Sequence, residues 1–417
     1  MKALWLGIAG SFLVPAAAEA CGGCFCTVTS TETVDQSAER VLFELEDGPE
    51  GGPAVVTAHV HIAYTGAAES FAWVVPIPSL PRDLGTSPNA MFDEIDQGTA
   101  PSFTFITNRS GGAPSGCFGC CGASAASDGA GGDGGDPAEE VTVWNTENVG
   151  PYDTQTISGD DGSVLYDWLV DNGYEVPVEA EPIIASYVAT GSYFLAMQLE
   201  EGASIDQIEP IRFTYDGNEP CIPLKLTAIA TVPDLPVLAF VFASARTIPE
   251  NFAQTEPDWN SLVLLADNTT NYKDLVTDAA DGAGGRAFVT EFAGPTDQIG
   301  QGGYYYDGFS PTDPTLIALI ARHPYLTRLY TTISANEMTI DPIFRLDPAA
   351  PDVSNFRTID LTVASGALAA KTGRAPATRT ASSLSWTTFA TGIVMILVLG
   401  YVVRRRRQVA AARPARG

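Results

Sequence analysis

Cysteine spacing is the feature of this chain that most directly allows chemistry. Six of the seven cysteines form two compact groups, each with a Cys-x-x-Cys pair, which are Cys21-x-x-Cys24-x-Cys26 and Cys117-x-x-Cys120-Cys121. Two thiols at this spacing can close a disulfide ring, bind one metal ion or cycle between redox states. We predict disulfides for these six residues, with the other two chemistries as open alternatives. Because seven is an odd number, one cysteine is left free, lipidated or paired with another chain, and the connectivity stays open.

Two of the three histidines, His59 and His61, are a second set of candidate ligands. Apolar and polar residues alternate from Pro53 to Tyr64, which predicts a half-buried strand with both imidazoles on one face. Such a pair can chelate copper or zinc. No third ligand stands close in sequence, so the alternative is a polar strand face turned to solvent, and we predict no bound metal or cofactor. The weak metal candidates are His59, His61, Cys24, Cys26, Cys117 and Cys120.

The sequence carries no signature of a known reaction. G-x-S-x-G, H-E-x-x-H, the P-loop and the dinucleotide-binding fingerprint are all absent. The third histidine, His323, follows a predicted helix from Thr315 to Arg322, where a cation suits the negative end of the helix dipole. We therefore predict a structural role for His323 and no catalytic residue, which favours a protein that is not an enzyme.

Both ends of the chain carry signals typical of an exported membrane protein. Residues 1–20 combine a basic residue, an apolar run and Ala-Glu-Ala before Cys21, which predicts a signal peptide. Residues 386–403 are uncharged and can cross most of a ~30 Å hydrocarbon core, and four arginines follow them. We expect a single-pass membrane protein whose N-terminal domain is periplasmic or at the cell surface and whose residues 404–417 form a basic cytoplasmic tail.

Two alternatives stay open at these ends. Cys21 is also the position at which a lipoprotein signal would place its acyl chains, although Glu19 fits that pattern poorly. Residues 386–407 are also similar to tails that are removed from some bacterial surface proteins during processing, and the anchor would then be temporary.

The charge of the exported part limits its partners. Residues 21–365 carry 49 acidic and 12 basic side chains, a net charge of −37. Such a surface repels nucleic acid and anionic head groups. We expect no nucleic-acid partner, contact with the lipid bilayer through 386–403, and an envelope protein as the compatible kind of partner. Export also places the cysteines where disulfides form and persist.

Strand patterns outnumber helix patterns in residues 21–365. The strands include 40–46, 53–64, 71–77, 224–232 and 237–242, and the helices are predicted at 89–96, after Asp160-Asp161, at 272–280 and at 315–322. There is no regular alternation of strand and helix. This favours an α+β domain built mainly on antiparallel β-sheet with a few helices, in addition to the one C-terminal transmembrane helix.

Two segments and a leader interrupt this pattern. Residues 110–140 are rich in Gly, Ala and Asp, which predicts a flexible insertion held by its cysteine group. Residues 366–385 are an Ala, Ser, Thr and Arg-rich linker to the membrane. Residues 21–33 are expected to be a cysteine-rich leader ahead of the first strand.

Four stretches together are similar to a bacterial family. They are VDQSAER (34–40), FAWVVPIP (71–78), LVDNGYEVP (169–177) and YLTRLYTTISANEMTIDPIF (325–344). The chain resembles the DUF2330 family of exported bacterial proteins of unknown function, and the Cys-Gly-Gly start of the mature chain also fits. The resemblance implies export and a domain over residues 21–365, and it brings no catalytic residue, substrate or cofactor.

These observations lead to two hypotheses of different classes. The first is a membrane-anchored extracytoplasmic protein with a non-enzymatic binding or structural role in the envelope. The alternative is a metal-handling or thiol-redox protein that uses the two cysteine groups with His59 and His61.

Overall fold

The structure is a computed structural model, and it describes only part of the chain. The described residues are 24–27, 35–48, 53–65, 71–106, 141–200, 203, 207–229, 231–265, 269–300 and 309–360. The predicted signal peptide, the insertion at 110–140, the linker, the segment 386–403 and the basic tail lie outside these residues. Within them, none of the helices is both long enough and apolar enough to span a membrane.

The described residues form mainly β-strands. In chain order the strands are β1 (Cys24–Thr27), β2 (Asp35–Glu46), β3 (Val55–Thr65), β4 (Phe71–Ile77), β5 (Arg82–Thr86), β6 (Ser102–Ile106), β7 (Thr142–Val149), β8 (Tyr152–Ser158), β9 (Tyr174–Glu175), β10 (Tyr193–Leu199), β11 (Ile211–Asp216), β12 (Leu235–Ala243), β13 (Thr247–Pro249), β14 (Ala253–Thr255), β15 (Ala287–Pro295), β16 (Tyr325–Ile333), β17 (Phe344–Leu346) and β18 (Phe356–Asp360). The helices are α1 (Asn89–Thr99), α2 (Gly162–Asp171), α3 (Glu181–Val188), α4 (Leu224–Thr227), α5 (Tyr272–Gly282) and α6 (Pro314–Arg322).

Most of the strands belong to two sheets. The smaller sheet has the order β7-β8-β10-β4-β1-β9, and the larger has the order β14-β15-β16-β12-β2-β3-β11-β5. Pairing is antiparallel except between β12 and β2 and between β14 and β15 in the larger sheet, and between β18 and β6 in a separate two-stranded pair. The predicted α+β class with mainly antiparallel sheet is confirmed.

The two sheets pack face to face, and helices cover the outer face of each. One apolar core lies between the sheets, a second lies between the larger sheet and helices α1, α5 and α6, and a third lies between the smaller sheet and helices α2 and α3. The central strand β12 illustrates how one sheet serves two cores, because its side chains point alternately into the first core and the second. Val241 faces the smaller sheet, Phe240 faces the helices, and both are fully buried. Each such side chain contributes about 1.5–3 kcal/mol by burial.

Helix ends follow the local chemistry that the sequence indicates. The Asp161 side chain caps α2 by accepting the backbone N–H of Ser163 at 2.8 Å, and Gly173 follows the helix with a φ of +86°. A left-handed residue after a helix is most easily a glycine. Asp313 caps α6 in the same way through the N–H of Leu316, which fixes the start of the helix that later reaches the polar cluster described below.

The structure corrects two expectations. Residues 224–232 are predicted as a strand, but Leu224–Thr227 form helix α4, because the carboxylate of Asp341 accepts the Lys225 N–H at 2.9 Å. Leu224 thereby packs into the core between the sheets, while Leu226 packs into the core under α2 and α3. The leader is also not free of sheet, since Cys24–Thr27 form β1 between β4 and β9.

Candidate functional site

A cavity lies between the two sheets, and we call it the inner cavity. Its volume is about 490 Å³, within the range of about 300–1,000 Å³ that is typical of small-molecule sites. Strands β2, β3 and β11 form one wall and β4 forms the other. Most lining side chains are apolar or aromatic, and they include Val41, Phe43, Ala58, Val60, Trp73, Val75, Ile77, Phe213 and Tyr215.

Polar groups meet at one end of the inner cavity, where α3, α4 and the segment 339–343 come together. Asp341 Oδ2 accepts the Tyr187 hydroxyl at 2.7 Å, and Oδ1 accepts the Lys225 backbone N–H at 2.9 Å. The Lys225 ammonium lies 3.7 Å from Asp341 Oδ2 and 4.0 Å from the centre of the Tyr187 ring. Burial raises the pKa of Asp341 above its ordinary value, although these hydrogen bonds and Lys225 oppose the shift.

Further ionisable groups line the same cavity. Glu39 is almost fully buried in its wall, and Glu219 is exposed beside it. The thiol of Cys221 also lines the cavity, and burial together with the charge of Asp341 raises its pKa. A thiol that stays protonated is a poor nucleophile and a poor metal ligand. The arrangement can therefore hold a ligand with an apolar body and a polar end.

The opposite face of the same strands carries a polar group that we call the Glu44 cluster, consisting of Glu44, His59, Ser87, Arg322 and His323. His59 Nε2 lies 2.9 Å from Glu44 Oε1, and His323 Nε2 lies 3.3 Å from Glu44 Oε2. Arg322 forms a salt bridge with the same carboxylate. Burial opposes the charge on Glu44, but the two histidines and Arg322 outweigh it and lower its pKa to about 2.

Three members of the Glu44 cluster have the order of a catalytic triad. Ser87 Oγ lies 2.6 Å from His59 Nδ1, and Glu44 binds the other ring nitrogen. A cleft beside the cluster is lined by Glu44, His59 and Arg322. Ser87 is 3% exposed and lines neither this cleft nor the inner cavity. A nucleophile must contact its substrate, so this chain of hydrogen bonds is better explained as a structural link between β2, β3 and the start of α1.

Among the described residues, one set of three possible metal ligands lies close together, and it combines Glu44 and His323 of the cluster with the neighbouring Glu46. Single ligand atoms of Glu44, Glu46 and His323 lie within 4.8 Å of one another. Arg322 contacts both glutamates, with its Nε 3.5 Å from Glu46 Oε1. The positive charge that a metal ion would bring is therefore already supplied by a guanidinium, and a metal could bind only by displacing it.

The comparisons with known proteins give a family and no activity. Residues 15–345 match the family described as "Uncharacterized protein conserved in bacteria (DUF2330)". The chain belongs to the DUF2330 family. No curated protein matches the chain. Among solved structures, the crystal structure of baculovirus P35 matches with a TM-score of 0.29 and 12% identity, over 58% of this chain and 74% of that chain, and a similarity this low supports no inference.

Three of the four stretches by which the chain resembles DUF2330 proteins contribute to the inner cavity. Glu39 lies in the stretch 34–40, Trp73 in 71–78 and Asp341 in 325–344. These stretches could have indicated residues of the cavity, but nothing in their sequences shows that they lie close together in the fold. Tyr187 and Lys225 lie outside them, and no sequence pattern indicates their role.

The predicted histidine pair is only partly as expected in this DUF2330 protein. His59 and His61 do share one face of β3, but the alternative of a solvent-exposed face is wrong, because His59 is 1% exposed. The two rings have different partners. His61 Nδ1 accepts a hydrogen bond from Arg40 at 3.1 Å, whereas His59 binds Ser87 and Glu44. Burial and the neighbouring Arg40 lower the pKa of His61 to about 4.

Most of the predicted cysteine chemistry falls outside the described residues. Cys21 and the group Cys117, Cys120 and Cys121 are not among them. Cys24 and Cys26 lie in β1, where their backbones are opposite Trp73 and Phe71 of β4. The disulfide and metal predictions for these residues therefore stay predictions.

Proposed function

We propose that this DUF2330 protein is a membrane-anchored extracytoplasmic binding protein that holds a small apolar ligand in the inner cavity. The observation that carries the proposal is the cavity itself, which has the volume and the mostly apolar lining of a ligand site. The predicted signal peptide and the apolar segment 386–403 support the location. The apolar segment would make the lipid bilayer a partner of the chain.

A binding role also fits the ionisable groups around the cavity. A catalytic site needs a group whose protonation state is matched to a reaction at working pH. The Cys221 thiol and the hydroxyl of Tyr187 both have raised pKa values because they are buried, so both keep their protons. The proposal therefore includes no chemical step.

Photo-crosslinking tests the proposal on the full-length chain. The protein is reconstituted in phosphatidylcholine vesicles and exposed to decanol that carries a diazirine, and labelled peptides are mapped by mass spectrometry. We expect saturable labelling of peptides that line the cavity, such as those with Trp73 and Phe213. Labelling that is absent from these peptides, or that does not saturate, would overturn the proposal.

Cavity-filling variants provide the specificity control. Ala58→Leu fills the cavity from one wall and Val75→Leu fills it from the other, so each should lower the labelling. Ala253→Leu makes the same change at an exposed position of β14 and should leave the labelling unchanged. Two filling variants are used because overpacking can destabilise a core. Labelling that is equal in the wild type and in both folded filling variants would place the ligand elsewhere.

A further inference from the structure

The charged groups of the inner cavity select the class of its ligand, provided that the proposed function holds. The charged side chains that line the cavity are Glu39, Glu219, Asp341 and Lys225. The cavity lining therefore contains three carboxylates and one ammonium, of which Asp341 lies nearest to the ammonium at 3.7 Å. An anionic head group would meet this excess of negative charge in a partly desolvated site, where like charges repel strongly.

The position of Lys225 shows what this end of the cavity can hold. Its ammonium lies between a carboxylate, 3.7 Å away on Asp341, and the face of the Tyr187 ring, 4.0 Å from the ring centre. A carboxylate on one side and an aromatic face on the other are the two groups that best stabilise an alkylammonium ion. In this protein, the position between the carboxylate and the ring is occupied by the ammonium of Lys225 itself.

Asp341 retains capacity for another donor. Each of its two oxygens accepts one hydrogen bond, from Tyr187 and from the backbone of Lys225, whereas an ionised carboxylate has about four acceptor positions. The Lys225 ammonium stands at 3.7 Å, which is longer than a direct hydrogen bond of about 2.7–3.2 Å. An incoming cation could therefore bind beside Lys225 or replace it.

We infer that the ligand of the inner cavity is a cationic amphiphile, with its apolar body between the sheets and a primary or substituted amine at Asp341 and Tyr187. The Lys225 side chain then acts as an internal competitor for the amine subsite. With its amine at this polar end, the ligand would place its apolar body against the apolar side chains of β2, β3 and β4 that line the cavity.

Three probes of equal chain length test the inference on the full-length protein in phosphatidylcholine vesicles. The probes are the diazirine derivatives of decylamine, decanol and decanoate, and the readout is the half-saturating concentration for labelling of the cavity peptides. We expect decylamine to saturate at a concentration roughly tenfold lower than decanol, as one charged hydrogen bond would give, and decanoate to be the weakest.

Two variants separate charge recognition from folding. Asp341→Asn should remove most of the advantage of decylamine over decanol, while Asp278→Asn on the exposed face of α5 should keep it. Lys225→Met should tighten decylamine binding, because it removes the competing ammonium, and the exposed Lys273→Met should not. A purely structural salt bridge would predict weaker binding or no change for Lys225→Met.

The outcomes distinguish the two proposals. If decanol or decanoate labels the cavity as well as decylamine does, the amine inference is wrong and the binding function stands. If no probe labels the cavity in a saturable manner, the proposed function itself is wrong. If Lys225→Met weakens decylamine binding in a folded protein, the assignment of Lys225 as a competitor is wrong.

Discussion

Two carboxylates on opposite faces of the larger sheet differ in what surrounds them. Glu44 and Asp341 have similarly low side-chain exposure, 7% and 11%. Glu44 has His59, His323 and Arg322 around it, and its pKa falls to about 2. Asp341 has a hydroxyl, one backbone N–H and a lysine at a longer distance, and burial raises its pKa. The number and charge of the donors, more than the burial, decides the sign of the shift.

This difference separates a structural site from the proposed binding site. The Glu44 carboxylate already contacts three cationic or imidazole side chains, which leaves it little capacity for a ligand. The Asp341 carboxylate has fewer donors and lies at the apolar inner cavity, so a ligand amine would compete there with one side chain, Lys225. Glu44 should therefore matter most for stability and Asp341 most for ligand selectivity.

The largest effect on stability is expected for Glu44→Gln. The change removes the negative charge that the two histidines and Arg322 share, and it should lower the free energy of unfolding by about 3 kcal/mol. Urea unfolding of the full chain in detergent at pH 7 measures it. Glu46→Gln is the matched control, since Glu46 lies two residues along the same strand and is 47% exposed. Glu46→Gln should lower the free energy of unfolding by about 0.5 kcal/mol or less. Equal decreases for the two variants would contradict the structural role assigned to Glu44.

Acid should destabilise the domain in two steps, of which the first belongs to His61. Its pKa is lowered from 6.5 to about 4 in the folded state, so between these values the unfolded chain binds the extra proton. Stability should therefore fall by about 2–3 kcal/mol as the pH decreases from 6.5 to 4. His61→Gln keeps an acceptor for Arg40 and should flatten the profile in this window. An unchanged slope in this variant would mean that other groups cause it.

The second step belongs to Glu44 and begins at lower pH. Its folded pKa of about 2 is below the ordinary value of 4.5, so the stability that it contributes is present above pH 4.5. That stability should be lost as the pH falls from 4.5 towards 2. Glu44→Gln should remove this part of the acid sensitivity and leave the His61 window in place.

The smallest difference in stability is expected between truncations of two valines in the core between the sheets. Val60 lines the inner cavity, whereas Val241 is fully buried and does not line it. A side chain at a cavity wall contacts fewer atoms, so its truncation removes fewer contacts. Val60→Ala should therefore lower the free energy of unfolding by about 1 kcal/mol, and Val241→Ala by about 2.5 kcal/mol. The free energies of unfolding of the two variants give the comparison. Similar costs would argue that the cavity closes in solution.

Much of the fold could be predicted because strand patterns and caps are local properties. Strands β3 and β4 and helices α5 and α6 lie close to their predicted ranges, since alternation and capping chemistry act within one element. Helix α4 could not be predicted in this way. Its first turn depends on Asp341, which is more than a hundred residues away in the chain.

The candidate sites show the same limit. The common face of His59 and His61 follows from a period of two along one strand, and this was predicted correctly. Their different partners depend on Arg40, Glu44 and Ser87, which reach β3 only through the register of the sheet and the packing of α1. For the same reason the sequence indicated no role for Tyr187 or Lys225.

The sequence by itself determined the family, the strand-rich α+β class and the face on which the histidines lie, because these depend on composition, periodicity and recognisable stretches. Only the tertiary structure decided which carboxylate is surrounded by histidine and arginine side chains and which lies at the apolar cavity between the sheets. That distinction depends on the distances between groups from β2, α3, α4 and the segment 339–343. Such distances are set by how the layers pack, and no local pattern encodes them.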